Sequence, residues 1–206
     1  VNTSSFSLEA LTPLRLWRFT SRAGAMLMLT GLLSACAVNN TTSESGASNL
    51  MLKGFDPVSY FLQESPTKGQ AQFKKEYEYG TYFFASNQNL QQFNADPEKY
   101  VPQYGGFCSK GVSYAIRAGG DPMAYAIRDD RLFIFANEYA KDYWLLDPVD
   151  LIGKADGYWQ NELKGRSVKW TNLKRFVFRV PHYKTYPEEF ADYEKRSGKK
   201  APPLPR

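Results

Sequence analysis

Residues 72–93 read QFKKEYEYGTYFFASNQNLQQF. Gln72 to Tyr79 alternates loosely, Thr81 to Ala85 is rich in aromatic residues, and Gly80 lies between the two runs. That is the pattern of a β-hairpin. Ser86 then stands as the N-cap of a helix through Phe93, with Leu90 and Phe93 three residues apart on one face. Further along the chain the same order returns. Met123 to Arg128 and Arg131 to Ala136 form a second hairpin across Asp129-Asp130. A helix over Asn137–Leu145 follows, offering Tyr139, Tyr143 and Trp144 to a core, and another over Val149–Leu163 presents Ile152, Ala155 and Trp159. Upstream, Asp56 caps a short helix with Pro57 at its first position, and Asp96-Pro97 opens one that ends near Tyr100. Strand pairs mixed with short helices predict an α+β fold, a small mixed domain of hairpins and helices, rather than a parallel α/β sheet.

Of the 206 residues, 43% are hydrophobic and 16% aromatic. That is ample for a packed core and far from a disordered composition. The first 35 residues read differently. Arg15, Arg18 and Arg22 precede an uncharged run of thirteen, AGAMLMLTGLLSA (23–35). It is too short for a membrane span, which needs about 20 residues, and it fits the apolar region of a signal peptide. The sequence Leu33-Ser34-Ala35-Cys36 resembles a bacterial lipobox. The resemblance implies cleavage before Cys36, lipidation of its thiol, and a chain held at the bacterial cell envelope facing the periplasm. Ala37, which carries no charge, favours the outer membrane. Residues 1–35 are thus expected to be a signal peptide, and 36–51 a lipidated cysteine followed by a flexible Ser/Asn/Thr-rich tether.

Charge divides the rest. Residues 37–162 carry 11 Lys and Arg against 16 Asp and Glu, whereas residues 163–206 carry 12 against 4. An acidic body, 52–162, is expected to be followed by a basic aromatic extension, 163–206. Within the extension, Arg175-Phe176-Val177-Phe178-Arg179-Val180 alternates like a strand, and Pro187 to Ser197 reads as a short helix. With fewer than about 50 residues and no cysteine or metal ligands as staples, the extension is expected to pack on the body rather than fold alone. Its basic face suits nucleic acid in principle. Export excludes that and leaves anionic lipid head groups, an envelope protein or a small ligand as partners.

Several blocks resemble the YHS-domain family, in its secreted lipoprotein branch. They are Gly54-Phe55-Asp56-Pro57-Val58-Ser59-Tyr60-Phe61, Tyr82-Phe83-Phe84-Ala85-Ser86, Phe93, Asp96-Pro97-Glu98-Lys99-Tyr100, Gln103-Tyr104-Gly105-Gly106-Phe107-Cys108 and Ile152-Gly153-Lys154-Ala155-Asp156-Gly157-Tyr158-Trp159. The resemblance covers roughly residues 52–160 and implies a small α+β domain without implying an enzyme activity. Metal-associated relatives carry two cysteines four residues apart, able to grip one soft metal ion. Here those positions are Ala85 and Asn89, so that role does not carry over. Some members of the secreted branch are selenoproteins with selenocysteine at the position of Cys108, which implies redox capability there.

Read from the residues alone, Cys108 is an unpaired thiol in an oxidising compartment. Gly105 and Gly106 allow backbone N–H groups to approach a thiolate, and Lys110 adds positive charge. Its plainer reading is a small buried hydrophobe. His182 is the only histidine. With Cys108 and Met123 it makes a ligand set soft enough for copper as Cu(I), and no other cofactor is expected. Neither a nucleophile–base arrangement nor a phosphate loop can be assembled, because Gly105-Gly106 and Gly119-Gly120 lack the spacing and the lysine. The expectation is a non-catalytic envelope binding module, with a Cys108 redox protein or a copper-binding protein as alternatives.

Overall fold

The computed structural model describes residues 39–44, 47–63, 65–78 and 80–203. The expected signal peptide and Cys36 lie outside them. Every element below belongs to the compact unit Ala37–Arg206.

Strands β1 (Thr41–Glu44) and β2 (Ala47–Met51) lead into a short 3-10 turn, Leu52–Gly54, and helix α1 (Ser59–Leu62). The hairpin β3 (Gln70–Tyr77) and β4 (Gly80–Phe84) follows, then α2 (Asn87–Ala95) and α3 (Pro97–Tyr100). A second 3-10 turn, Gln103–Gly106, runs into α4 (Ser109–Val112). The hairpin β5 (Asp121–Arg128) and β6 (Arg131–Phe135) precedes α5 (Glu138–Trp144) and α6 (Pro148–Tyr158). A π-helical turn, Trp159–Leu163, extends α6, and α7 (Val168–Val177) and α8 (Tyr186–Ser197) complete the chain. This is an α+β fold.

Two sheets form. One has the order β1-β2-β4-β3, with β2 and β4 parallel and the other pairs antiparallel; the second is β5-β6. Strand β4 is buried along its whole length. It lies between two neighbours and is covered on both faces, so its aromatic run does not alternate. Strand β6 divides two cores by alternation: Phe133 and Phe135 pack with Trp144, while Leu132 and Ile134 pack with Leu52 and Tyr60. A third cluster gathers Phe84 and Phe93 below α2. Local punctuation works as the sequence suggests. Asp129 and Asp130 both take positive φ, 51° and 54°, as a two-residue hairpin turn requires. The Ser86 and Asn137 side chains cap α2 and α5.

Two expectations are corrected. Residues 41–44 and 47–51, expected within a flexible tether, form strands. They gain order from tertiary bonds that composition does not encode. Leu50 pairs with Thr81 of β4, and Asn40 is fixed through its N–H to the Gly105 carbonyl (2.8 Å) and through its side chain to the Gly106 carbonyl (3.0 Å). Gly105 is a glycine for this reason: its φ is +61°, and a Cβ there would sit 2.5 Å from Asn39 Oδ1. The second correction is the strand expected over Arg175–Val180, most of which lies in or at the end of α7. Asn172 and Arg175, one helical turn apart, both bond to the body, and those tertiary bonds outweigh the local alternation. The extension does pack on the body, but charge complementarity is not the deepest contact. Glu189 of α8 is buried against Lys110 at 2.5 Å, with the signs reversed from the regional balance.

Candidate functional site

Asp56 is fully buried. Its Oδ1 accepts from the Val58 N–H at 2.8 Å, and its Oδ2 accepts from the Ala85 N–H at 2.8 Å and from Asn89 Nδ2 at 2.6 Å. The two positions where metal-associated relatives carry thiolates are therefore both tied to one carboxylate. The Asn89 amide stands where those relatives carry a thiolate, and its Nδ2–H is spent on the Asp56 carboxylate. Among the described residues no cation pairs with the carboxylate; three donors aimed at it compensate for the lost water. This arrangement is a lock between the loop at Asp56, the end of β4 and the first turn of α2. It does not fit a metal ion, and among the described residues no group of three or more His, Cys, Asp or Glu is placed to hold one.

Cys108 is 3% exposed and packs among Phe133, Phe135 and Trp144. Burial pushes its thiol up, outweighing the backbone hydrogen bonds and the Lys110 charge that act in the other direction. Lys110 is engaged with Glu189. The Gly105 and Gly106 carbonyls are engaged with Asn40, and the Cys108 N–H donates to the Ala118 carbonyl at 3.0 Å. The environment raises the thiol pKa, the opposite of what an activated nucleophile needs. Met123 and Ala124 are neighbours in β5, so their side chains leave on opposite faces. Ala124 joins the Cys108 cluster and Met123 is exposed. His182 stacks on Tyr114 at 5.4 Å and on Tyr158 at 6.0 Å, and its Nε2–H donates to the Ser113 carbonyl at 2.7 Å. Cys108, Met123 and His182 thus occupy three separate environments.

A different set of residues builds a groove of about 320 Å³ where the second 3-10 turn meets β6 and α6. Arg131 is its centre. Nη1 and Nη2 bond the two Asp156 carboxylate oxygens at 3.1 and 2.6 Å, while Nε and Nη2 share Gln103 Oε1 at 3.1 and 2.9 Å. Tyr104 donates its hydroxyl to Asp156 at 2.8 Å. Burial first, then the Asp156 bond, pushes the Tyr104 phenol up, so it remains a donor across the physiological range. Tyr104 adopts φ 56°, a left-handed conformation that is costly for a residue with a side chain. It begins the turn that presents Gly105 and Gly106 to Asn40. Trp159, in the π-helical turn, and Lys164 complete the groove wall. Sequence reasoning missed this constellation, since Arg131 and Asp156 stand in separate elements and share no motif. The Gly105-Gly106 pair directly after Tyr104 was the one local sequence signal, marking a turn there.

With this geometry in view, comparison with known families finds a YHS domain at residues 58–104. The matched segment runs from α1 to Tyr104, and so contains the Asn89 side of the lock and one wall of the groove. It ends before Cys108. No curated protein matches the chain, and no solved structure does.

Proposed function

We propose that the chain is an envelope lipoprotein, lipidated on Cys36, whose YHS-containing domain is a binding module for a small ligand or an envelope partner. The observation that carries this reading is the preformed groove. Arg131 is held by four hydrogen bonds and Tyr104 by one, so their orientation is set before a ligand arrives, which reduces the ordering cost of binding. The order of arginines, apolar run, small residues and cysteine over 15–36 supports the anchor. A redox role for Cys108 gains nothing from its burial or from its raised thiol. A copper role gains nothing from the separation of Cys108, Met123 and His182 or from the Asp56–Asn89 lock.

The test has two arms on chain made in a bacterial host. Labelled fatty acid is expected in the wild type and not in Cys36→Ser, and label retained by Cys36→Ser would overturn the anchor. A thermal-shift screen against envelope sugars, peptides and amino acids is expected to find a ligand that raises the Tm of the wild type and not of Arg131→Ala. A screen in which every hit acts equally on Arg131→Ala would overturn the groove.

A further inference from the structure

Helix α7 is turned inside out. Its inner stripe, at spacing i, i+3, i+4, i+7, is Val168, Thr171, Asn172 and Arg175, and all four are at least partly buried. Three of them are polar. Asn172 clips both backbone groups of the buried Arg117, accepting from its N–H and donating to its carbonyl, each at 2.9 Å. Thr171 accepts from Arg117 Nη2 at 2.8 Å, and Arg175 pairs with Glu162. The outer stripe is apolar. Trp170 is 73% exposed, Leu173 51%, Phe176 76%, Val177 61% and Phe178, just beyond the helix, 66%. A helix on the surface of a soluble domain normally does the reverse. A contiguous apolar face of this kind marks an interaction surface.

Its rim says what covers it. Residues 163–187 contain seven Lys and Arg and no Asp or Glu. Lys174 and Arg175 share Glu162. Lys164, Arg166, Lys169 and Arg179 have no carboxylate partner among the described residues. An apolar stripe carrying a Trp, bordered by long basic side chains, matches an anionic bilayer surface: the rings enter the head-group region and the ammonium and guanidinium groups stay at its level.

The N-terminal end of the described domain lies beside the residues that lead into α7. Asn39 lines one groove with Trp159, Gln160 and Lys164, and Leu163, Arg166 and Trp170, next to these in the chain, line a second. Three peptide steps separate Asn39 from Cys36, a reach of at most about 11 Å. We infer that α7 is a second membrane contact. Trp170, Leu173, Phe176 and Val177 insert into an anionic lipid surface, and a lipid on Cys36 would hold the domain with this face against it. The orientation in the second half of that statement rests on the proposed lipidation; the affinity of the face does not.

The experiment uses residues 37–206, which carry all the packed clusters of the fold and have no acylation site. Sedimentation with phosphatidylglycerol-containing phosphatidylethanolamine vesicles is compared with phosphatidylcholine vesicles. Binding to the anionic vesicles is expected, weakened by added salt, reduced at least about tenfold by Trp170→Ala with Phe176→Ala, and reduced similarly by Lys164→Gln, Arg166→Gln and Lys169→Gln together. The substituted side chains are exposed, so circular dichroism and Tm should be unchanged. Absent binding, or equal binding by the variants, would overturn the inference. So would a dimer seen by light scattering that Trp170→Ala with Phe176→Ala dissolves, which would assign the face to a second copy of the chain. Because this protein lacks Cys36, failure here leaves the anchor standing, and failure of fatty-acid labelling leaves this result standing.

Discussion

Helices α2 and α7 are nearly equal in length and oppositely built. In α2 the Ser86 side chain caps the first turn, and Phe93 goes inward to meet the rings of Phe84, Tyr82 and Tyr77 at 5.1, 5.2 and 5.8 Å. Its exposed positions, Asn87, Gln88, Gln91, Asn94 and Ala95, carry no large apolar side chain. Helix α7 has no side-chain cap and buries no residue fully. The polar Asn172 and Thr171 go inward and the aromatic residues go outward. The difference shows that burial of an apolar stripe is a preference conditional on a partner surface. Under α2 the partner is an aromatic cluster. Under α7 it is Arg117, whose guanidinium lies over Phe107 at 5.5 Å and whose backbone N–H and C=O would otherwise lack partners. Left unpaired, each of those buried backbone groups would cost about 1–3 kcal/mol. The comparison breaks most visibly at one residue in each helix. Phe93→Ala should lower unfolding stability by about 3–5 kcal/mol in urea titrations of residues 37–206. Phe176→Ala should change it by less than about 0.5 kcal/mol. A large cost at Phe176 would mean that α7 packs its apolar face in solution.

The same contrast governs what the sequence makes legible. The β3–β4 and β5–β6 hairpins, α2 and α5 announce themselves through Gly80, Asp129-Asp130, Ser86 and Asn137, because their caps and turns are local and those residue types are the ones that serve them. Strands β1 and β2 and helix α7 do not. Their bonds run from Asn40 to Gly105 and Gly106, and from Asn172 to Arg117, more than fifty residues away in the chain. Alternation at 175–180 pointed to a strand for want of that information. The candidate site divides the same way. Cys108, Met123 and His182 were conspicuous by chemistry, yet alternation along β5 and stacking on Tyr114 send them apart. Asn89 was legible as a departure from the family's metal pattern, but not as a donor to Asp56. Gln103 and Tyr104 stood in one family-like block, Asp156 in another and Arg131 in none, and only the fold brings the four together.

The clip beneath α7 offers a sharper and smaller effect. Asn172→Ala removes an acceptor and a donor together, leaving the Arg117 backbone unpaired in a partly buried position. The expected cost is about 2 kcal/mol. Amide hydrogen exchange locates it: α7 amides should lose protection while those of α2 keep it. Asn172→Asp, which keeps the acceptor for the Arg117 N–H and loses the donor to its carbonyl, should fall between the wild type and Asn172→Ala. Equal protection in all three proteins would mean that α7 is held by something other than the clip.

Helix α8 supplies the complementary test, because it ends on its own devices. Thr185 and Glu188 form a capping box, with Glu188 accepting from the Thr185 N–H at 2.8 Å, and Gly198 closes the far end at φ 70°. Those devices are local, and the helix was readable from sequence within a residue of its bounds. They are also worth less than a tertiary clip between a helix and a buried arginine. Thr185→Ala should cost about 1 kcal/mol, roughly half of Asn172→Ala, and speed exchange only in the first turn of α8. The later turns should hold, since Glu189 remains beneath Lys110 and Tyr139. If Thr185→Ala instead released the whole helix, the cap would be fixing the tertiary contact as well as the first turn, and the division between locally and tertiarily held helices would fail in the extension.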